Sequence, residues 1–577
     1  MIRKSIRLWL TQTRGPQFEL LRHFLSEQLA NDLMSSDQVR RLVITVLAVL
    51  GCVGPLIIRL YIGKYRYLQD LDTGDLYHAA VRADRLFFIS LSMIVAGLVT
   101  VVQWQSLFPT RRDYLALKPL PVRLYQIFTA RFLASLLITA VVITDLNLAP
   151  SMMFPFLTSG RWQSFELRSV AAHAVATFAA GLFVFFALGA VQGVLMNLLP
   201  PRAFDRLSVW IQALFATAFL AAAPYVFDIP NWHEMIAAKP RWMLLFPPAW
   251  FLGLYETLLG SRDSYFPALR ERALTGMAVA LFLALATYFL SYRRHAHRVL
   301  EQASSQAGGR SLIGRTASAL TEICIKDLRS RAVFVFGIQT LRRSRAHKLV
   351  MGFCVSIAFV LALQTAAPSV LTHFRSPESW SDWQLESILA IPLLMSAVVV
   401  SALCYVFKLP AEPEASWIFR LAAESSDPRE LLDSVEYLLF CGLGSVLLIT
   451  LPIEVFALGG ELAIAHITMV AMLLLLLIEA RLYEWHKIPF TCSYVPGRRN
   501  LWQTLAIYLG LFAVLIPVIT SFEVRLFRPF VLLGIAVSLS PFYFSLRSRR
   551  RAQWRMVPLL FDESDETLIG TLQLNRE

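Results

Sequence analysis

Apolar residues along this chain gather into blocks of about 20, the length that a helix needs to cross a ~30 Å hydrocarbon layer. Twelve blocks are read: 42–62, 86–108, 128–156, 170–199, 206–226, 273–292, 349–367, 386–407, 436–458, 461–481, 501–520 and 527–546. They are continuous runs, unlike the ~10-residue alternating segments of an outer-membrane barrel. Backbone polar groups left unpaired in lipid are too costly to tolerate, so each block predicts a helix. The pattern predicts an all-α polytopic membrane protein with about 12 transmembrane helices.

Composition sharpens this reading. The 577 residues are 56% hydrophobic and only 16% charged, against about a quarter charged in soluble chains. A soluble enzyme, a secreted protein and a disordered chain are excluded. The first forty residues are mixed and charged, and carry no secretory-signal pattern. With twelve spans, the termini and alternate loops on one side hold 39 Lys and Arg, against 14 on the other. That bias places both termini in the cytoplasm, in a bacterial inner membrane. The net charge of +14 is then read as attraction to anionic lipid headgroups, not to nucleic acid. No cysteine falls in an outer loop and there is no CxxC, so neither a disulfide framework nor a metal site is expected.

The Ser-, Gly- and Arg-rich run after residue 292 divides the chain into two six-helix halves. Residues 1–300 form the first unit, 301–348 a linker, 349–546 the second unit and 547–577 a tail. An amphipathic interfacial helix precedes each half, within 17–41 and 321–348. The third span of each half begins alike, with SLLIT at 135–139 and SVLLIT at 445–450.

Function is sought in the cytoplasmic segments and in polar residues at membrane depth. Residues 109–127 join spans two and three, and combine Arg112 and Asp113 with Leu117, Leu120 and Pro121. Such exposed leucine beside charge suits a groove on another protein, while a solvated turn is the plainer reading. The pattern D-x-x-x-L-x-x-L-P, followed by Ile127 and Arg131, resembles the permease subunits of type-2 ATP-binding-cassette exporters. The whole plan resembles the bacterial tandem versions with two fused permease units. The resemblance implies that this segment is a coupling helix seated on a separate ATPase subunit, itself a dimer that carries ATP and Mg. It implies a second coupling segment at 408–432, with Pro410, Glu412, Glu414, Trp417, Phe419 and Arg420. It also implies a re-entrant element in the outer loop 227–272. The second half departs from the family in having almost no outer loop between its last two spans, and a longer, more acidic coupling segment.

No GxxxxGK[ST] phosphate loop occurs, so no cofactor is expected on this chain and no enzymatic activity is assigned to it. Asp145, Asn147 and Glu454 are candidates for a substrate path, because polar groups at membrane depth tend to face partners or water. His173 and His466 are read as hydrogen-bonded to neighbouring helices, and Gly189 and Gly193 as a close-packing GxxxG. The alternative function is a secondary, ion-coupled 12-span transporter, although the Arg112-Asp113 turn lacks the glycine usual there.

The topology has a direct check. Single cysteines at Ser159 and Ser376, in a chain freed of native cysteines, should react with an impermeant thiol reagent from outside. One at Ser304 should react only after permeabilisation, and the reverse pattern contradicts the orientation.

Overall fold

The computed structural model describes residues 16–29, 36–70, 74–109, 113, 116–117, 119–120, 122–301, 325–375, 381–411, 417–424, 427–492, 501–556 and 559–561. Among the described residues there are helices and no strands. Among the described residues eleven helices are long and apolar enough to cross a membrane, as in a multi-pass, all-α membrane protein. The chain forms two compact units, Met1–Gly308 and Gly309–Glu577, and each is described by itself.

Unit 1 starts with α1 (Pro16–Leu29), followed by α2 (Ser36–Asp70), α3 (Gly74–Val102), α4 (Leu124–Leu157), α5 (Leu167–Leu198) and α6 (Pro201–Val226). After a short α7 (His233–Ala237) come α8 (Pro247–Leu258) and α9 (Tyr265–Glu301). α8 has 12 residues, about 18 Å of helix, too short to span. It is buried along Phe251, Leu252, Tyr255 and Glu256. Gly253 permits this: a Cβ there would stand 2.3 Å from that of Leu269 on α9. The loop before α9 is closed by Lys239, which donates to Asp263 and holds that carboxyl below its usual range.

Unit 2 contains α10 (Leu328–Arg343), α11 (Arg345–Arg375), α12 (Asp382–Val406), α13 (Trp417–Glu424), α14 (Pro428–Leu458), α15 (Gly460–Leu482), α16 (Leu501–Arg525) and α17 (Pro529–Met556). The sequence sets several starts. Asp327 accepts from the Ser330 amide at 2.7 Å, and Asp427 accepts from that of Arg429 at 3.0 Å ahead of Pro428 at N1. These satisfy otherwise orphaned amides at the helix N-termini. Gly459, at φ +84°, turns α14 directly into α15, a conformation open to glycine but strained for other residues.

Several helices exceed their expected spans, α2 (Ser36–Asp70 against 42–62) and α14 (from Pro428, not 436) among them. α3 begins at Gly74, not near 86, and α17 runs to Met556, not 546. Both extensions carry charges that hydropathy assigns to loops. α9 likewise continues to Glu301, into the expected linker. Within the expected amphipathic segments lie α1 (Pro16–Leu29), the start of α2 at Ser36, and α10 (Leu328–Arg343); residues 30–35 and 321–324 lie outside the described residues.

The proposed GxxxG behaves as half a motif. A Cβ on Gly193 would lie 2.2 Å from Thr287 Oγ1 on α9, whereas one on Gly189 meets nothing within 4 Å. Gly193→Ala should therefore destabilise by about 1–3 kcal/mol through overpacking, and Gly189→Ala should be neutral or slightly stabilising. Thermal unfolding of both variants in detergent checks the difference.

Candidate functional site

The face of unit 1 that carries α1 contains the first coupling candidate. Leu20 and Phe24 of α1 pack with Leu117, Ile127, Ala130 and Ala134. Arg131 lies at the centre of this contact. Its guanidinium stands 2.5 Å from Glu27 of α1 and 3.7 Å from Asp113, donates to Ser106 O at 3.0 Å and covers the Phe24 ring. Leu117 is 8% exposed and Asp113 6%. The expectation of an exposed Leu117 is thus corrected: α1 already occupies the groove it lines. Leu120 remains 53% exposed. Arg112 and Pro121 lie outside the described residues.

The corresponding face of unit 2 is built differently. α10 packs on α14, with Gly337 against Leu438 and Ser330 donating to Glu430 O. Phe336 of α10 meets Phe419 at 4.9 Å between ring centroids. That contact anchors the short α13 by its underside, while Trp417, Ile418 and Leu421 stay 58%, 54% and 57% exposed. Positions i, i+1 and i+4 lie on one side of a helix, so α13 presents a continuous apolar face. Arg420 lies over Phe561. Pro410 is half-buried beside a pair of backbone bonds, from Phe490 N to Phe407 O at 2.9 Å and from Ala411 N to Phe490 O at 3.0 Å. Glu412 and Glu414 lie outside the described residues.

The polar candidates at membrane depth separate. Asn147 is buried and donates to Ser92 Oγ at 3.0 Å, bridging α4 to α3. Asp145 faces α2, with Oδ1 3.4 Å from where a Cβ on Gly51 would be. Its Oδ2 is buried and accepts no hydrogen bond among the described residues. Glu454 is engaged by His466, whose Nδ1 lies 2.9 and 3.0 Å from its two oxygens. His173 departs from expectation. Neither ring nitrogen has a hydrogen-bond partner among the described residues, and the ring packs among Phe88, Phe154 and Tyr255.

Buried ionic clusters escape the sequence reading. In unit 1, Arg85 of α3 meets Glu256 of α8 at 2.6 Å and Gln163 at 3.2 Å. Asp84 takes Lys64 at 2.8 Å and the Tyr65 hydroxyl at 2.5 Å. In unit 2, Arg550 of α17 is fully buried between Glu479, at 2.6 Å, and Glu436, at 2.6 Å. Arg547 lies 2.6 Å from the other Glu436 oxygen, and the Trp554 ring stacks on Arg550. The available signals were Asp84-Arg85 directly before an apolar run, and Glu256 inside LFPPAWFLGLYETLLG.

Unit 2 also has a half-open cavity of about 490 Å³ lined by α11, α12 and α16, within the size range of small-molecule sites. Leu361, Trp383, Leu394 and Phe512 make it largely apolar, and Glu386, Ser387, Thr365 and Thr520 supply polar points. Among the described residues, no His, Cys, Asp and Glu group is arranged to hold a metal ion. Compared with family models, curated proteins and solved structures, the chain finds no match.

The clusters predict unequal costs. Arg550→Met strands the buried Glu479 and leaves Glu436 with Arg547 as its ion-pair partner, and should cost about 3–5 kcal/mol. Arg551→Met removes a 3.3 Å pair with Asp433 that is partly solvated and should cost about 1 kcal/mol or less. Combining Arg550→Met with Glu436→Gln and Glu479→Gln should recover much of the loss, read as the shift in thermal midpoint.

Proposed function

We infer that this chain is the membrane permease of an ATP-driven exporter, coupled to a separate ATPase through its cytoplasmic segments. The observation that carries the reading is the apolar face of α13. Trp417, Ile418 and Leu421 stand exposed on a short helix whose other side is fixed by Phe419 on Phe336. An exposed patch of one aromatic and two aliphatic side chains has the makeup of an interface centre. In unit 1 the corresponding contact is Leu120, since Leu117 serves to hold α1.

The plan of the units supports this reading. In each, an amphipathic helix packs on the third long helix, α1 on α4 and α10 on α14. α16, apolar over its 25 residues, completes a set of twelve spans in two halves, with both termini in the cytoplasm of a bacterial inner membrane. The short α8 serves as the re-entrant element, and the apolar cavity of unit 2 is a candidate stretch of the translocation path.

A second reading, an ion-coupled secondary transporter, is favoured by the buried Glu454–His466 pair. Vesicles separate the two. An exporter requires ATP and the partner, whereas a secondary transporter moves substrate on an ion gradient alone.

The docking test uses a photo-reactive residue at position 418. It should capture a protein bearing a GxxxxGK[ST] loop, and the purified chain alone should not hydrolyse ATP. Trp417→Asp with Leu421→Asp should reduce that capture at least tenfold, at the ~2 kcal/mol or more typical of interface centres. Leu120→Asp should lower it further if both units dock. Unchanged capture and transport in the triple variant would remove the proposal.

A further inference from the structure

Glu454 and His466 are joined by a third buried group that the sequence gives no reason to add. Glu523, near the end of α16, brings Oε2 to 3.2 Å from His466 Nε2. One imidazole is thus flanked by two carboxylates from two other helices. Side-chain exposures are 0% for His466, 1% for Glu454 and 4% for Glu523. The cluster lies where α14 turns into α15 through Gly459, about one helical turn from the end of α14.

The two carboxylates are not equivalent. Glu454 receives Nδ1 on both oxygens, at 2.9 and 3.0 Å. Neither Glu523 oxygen accepts a hydrogen bond among the described residues, and the Nε2 contact, though close, is not aligned as one. With His466 protonated on both nitrogens and both carboxylates ionised, the cluster carries one net negative charge. The charges acting on Glu454 are those of His466 and Glu523; α12 and α17, which also pack on these helices, contribute none. An uncompensated buried charge is costly, and the least costly remedy at a dry site is one further proton.

We propose that Glu454, His466 and Glu523 form a proton-binding site, in which the two carboxylates that flank the imidazole share one further proton. In the occupied state the imidazolium stands between one carboxylate and one neutral acid, so the cluster is neutral. On release the proton leaves from the carboxyl pair to water, and the cluster returns to a charge of −1. No bond other than O–H forms or breaks. The site holds under either transport reading: coupling in a secondary transporter, or sensing of the adjoining compartment in an exporter. α16 also contributes Thr520 to the wall of the cavity, one turn before Glu523, so a shift of this helix on protonation reaches the cavity.

The test is infrared difference spectroscopy of the lipid-reconstituted chain, stepped between acid and alkaline pH. The wild type should show a protonated-carboxyl C=O band that disappears at alkaline pH. Glu523→Gln should lose that band, and Glu386→Gln, at the cavity wall, should keep it. Histidine-selective ¹⁵N spectra provide a measurement that needs no altered fold: both His466 nitrogens should be protonated at neutral pH in the wild type. Replacing sodium by N-methylglucamine should leave the midpoint unchanged. A band that survives Glu523→Gln, a neutral His466, or a midpoint that follows sodium would each overturn the assignment.

Discussion

Neutralising charge where no water reaches is the constraint on which the interior of both units depends. Arg550 illustrates it. Its guanidinium is fully buried, and it is tolerable because Glu479 and Glu436 approach from α15 and α14, each at 2.6 Å. A bidentate, charge-assisted fork fixes direction as well as distance, so three helices are held in one register at that level. Arg85 does the same in unit 1, where its pair with Glu256 ties the short α8 to α3. Hydrophobic contacts between helices in lipid have little directional preference. The ion pairs supply it, and α8, too short to be fixed by spanning, is positioned by the one that it receives.

The same constraint explains what could be read from the linear sequence. Apolar blocks marked long helices, because each block's own side chains favour leaving water whatever the rest of the chain does. The ends of α3 and α17 were not legible, because Asp84, Arg85 and Arg550 look like loop residues until their partners are known. Each partner lies on another element, as Glu256 lies 171 positions from Arg85. Hydropathy treats each charge alone, whereas the fold treats them in pairs. His173 failed in the opposite sense. A histidine at membrane depth suggests a hydrogen bond, yet this ring is used as an aromatic one, against Phe88, Phe154 and Tyr255. Nothing in its neighbours along the chain distinguishes those uses.

The coupling candidates show the limit of motif reading. Asp113, Leu117, Ile127 and Arg131 were legible as a set, and the structure does bring them together. They face inward, however, around α1, with Arg131 between Asp113 and Glu27. Spacing records which residues share a face, not what covers it. In unit 2 Glu412 and Glu414 drew attention beside Trp417 but lie outside the described residues, and the apolar surface that is described there is that of Trp417, Ile418 and Leu421 on α13.

This contrast bears on how two units of similar plan could do unequal work. In unit 1 the amphipathic helix covers Leu117, and among the described residues of that segment Leu120 is the exposed leucine. In unit 2 the helix α10 meets α13 through Phe336 and Phe419, while Trp417, Ile418 and Leu421 stay exposed among the described residues. Burying apolar surface yields about 25 cal/mol per Å², so covering Trp417, Ile418 and Leu421 of α13 would yield more than covering Leu120 alone. Duplication of a plan therefore does not require duplication of its contacts. One unit can spend its apolar residues on its own packing, while the other keeps them exposed on α13.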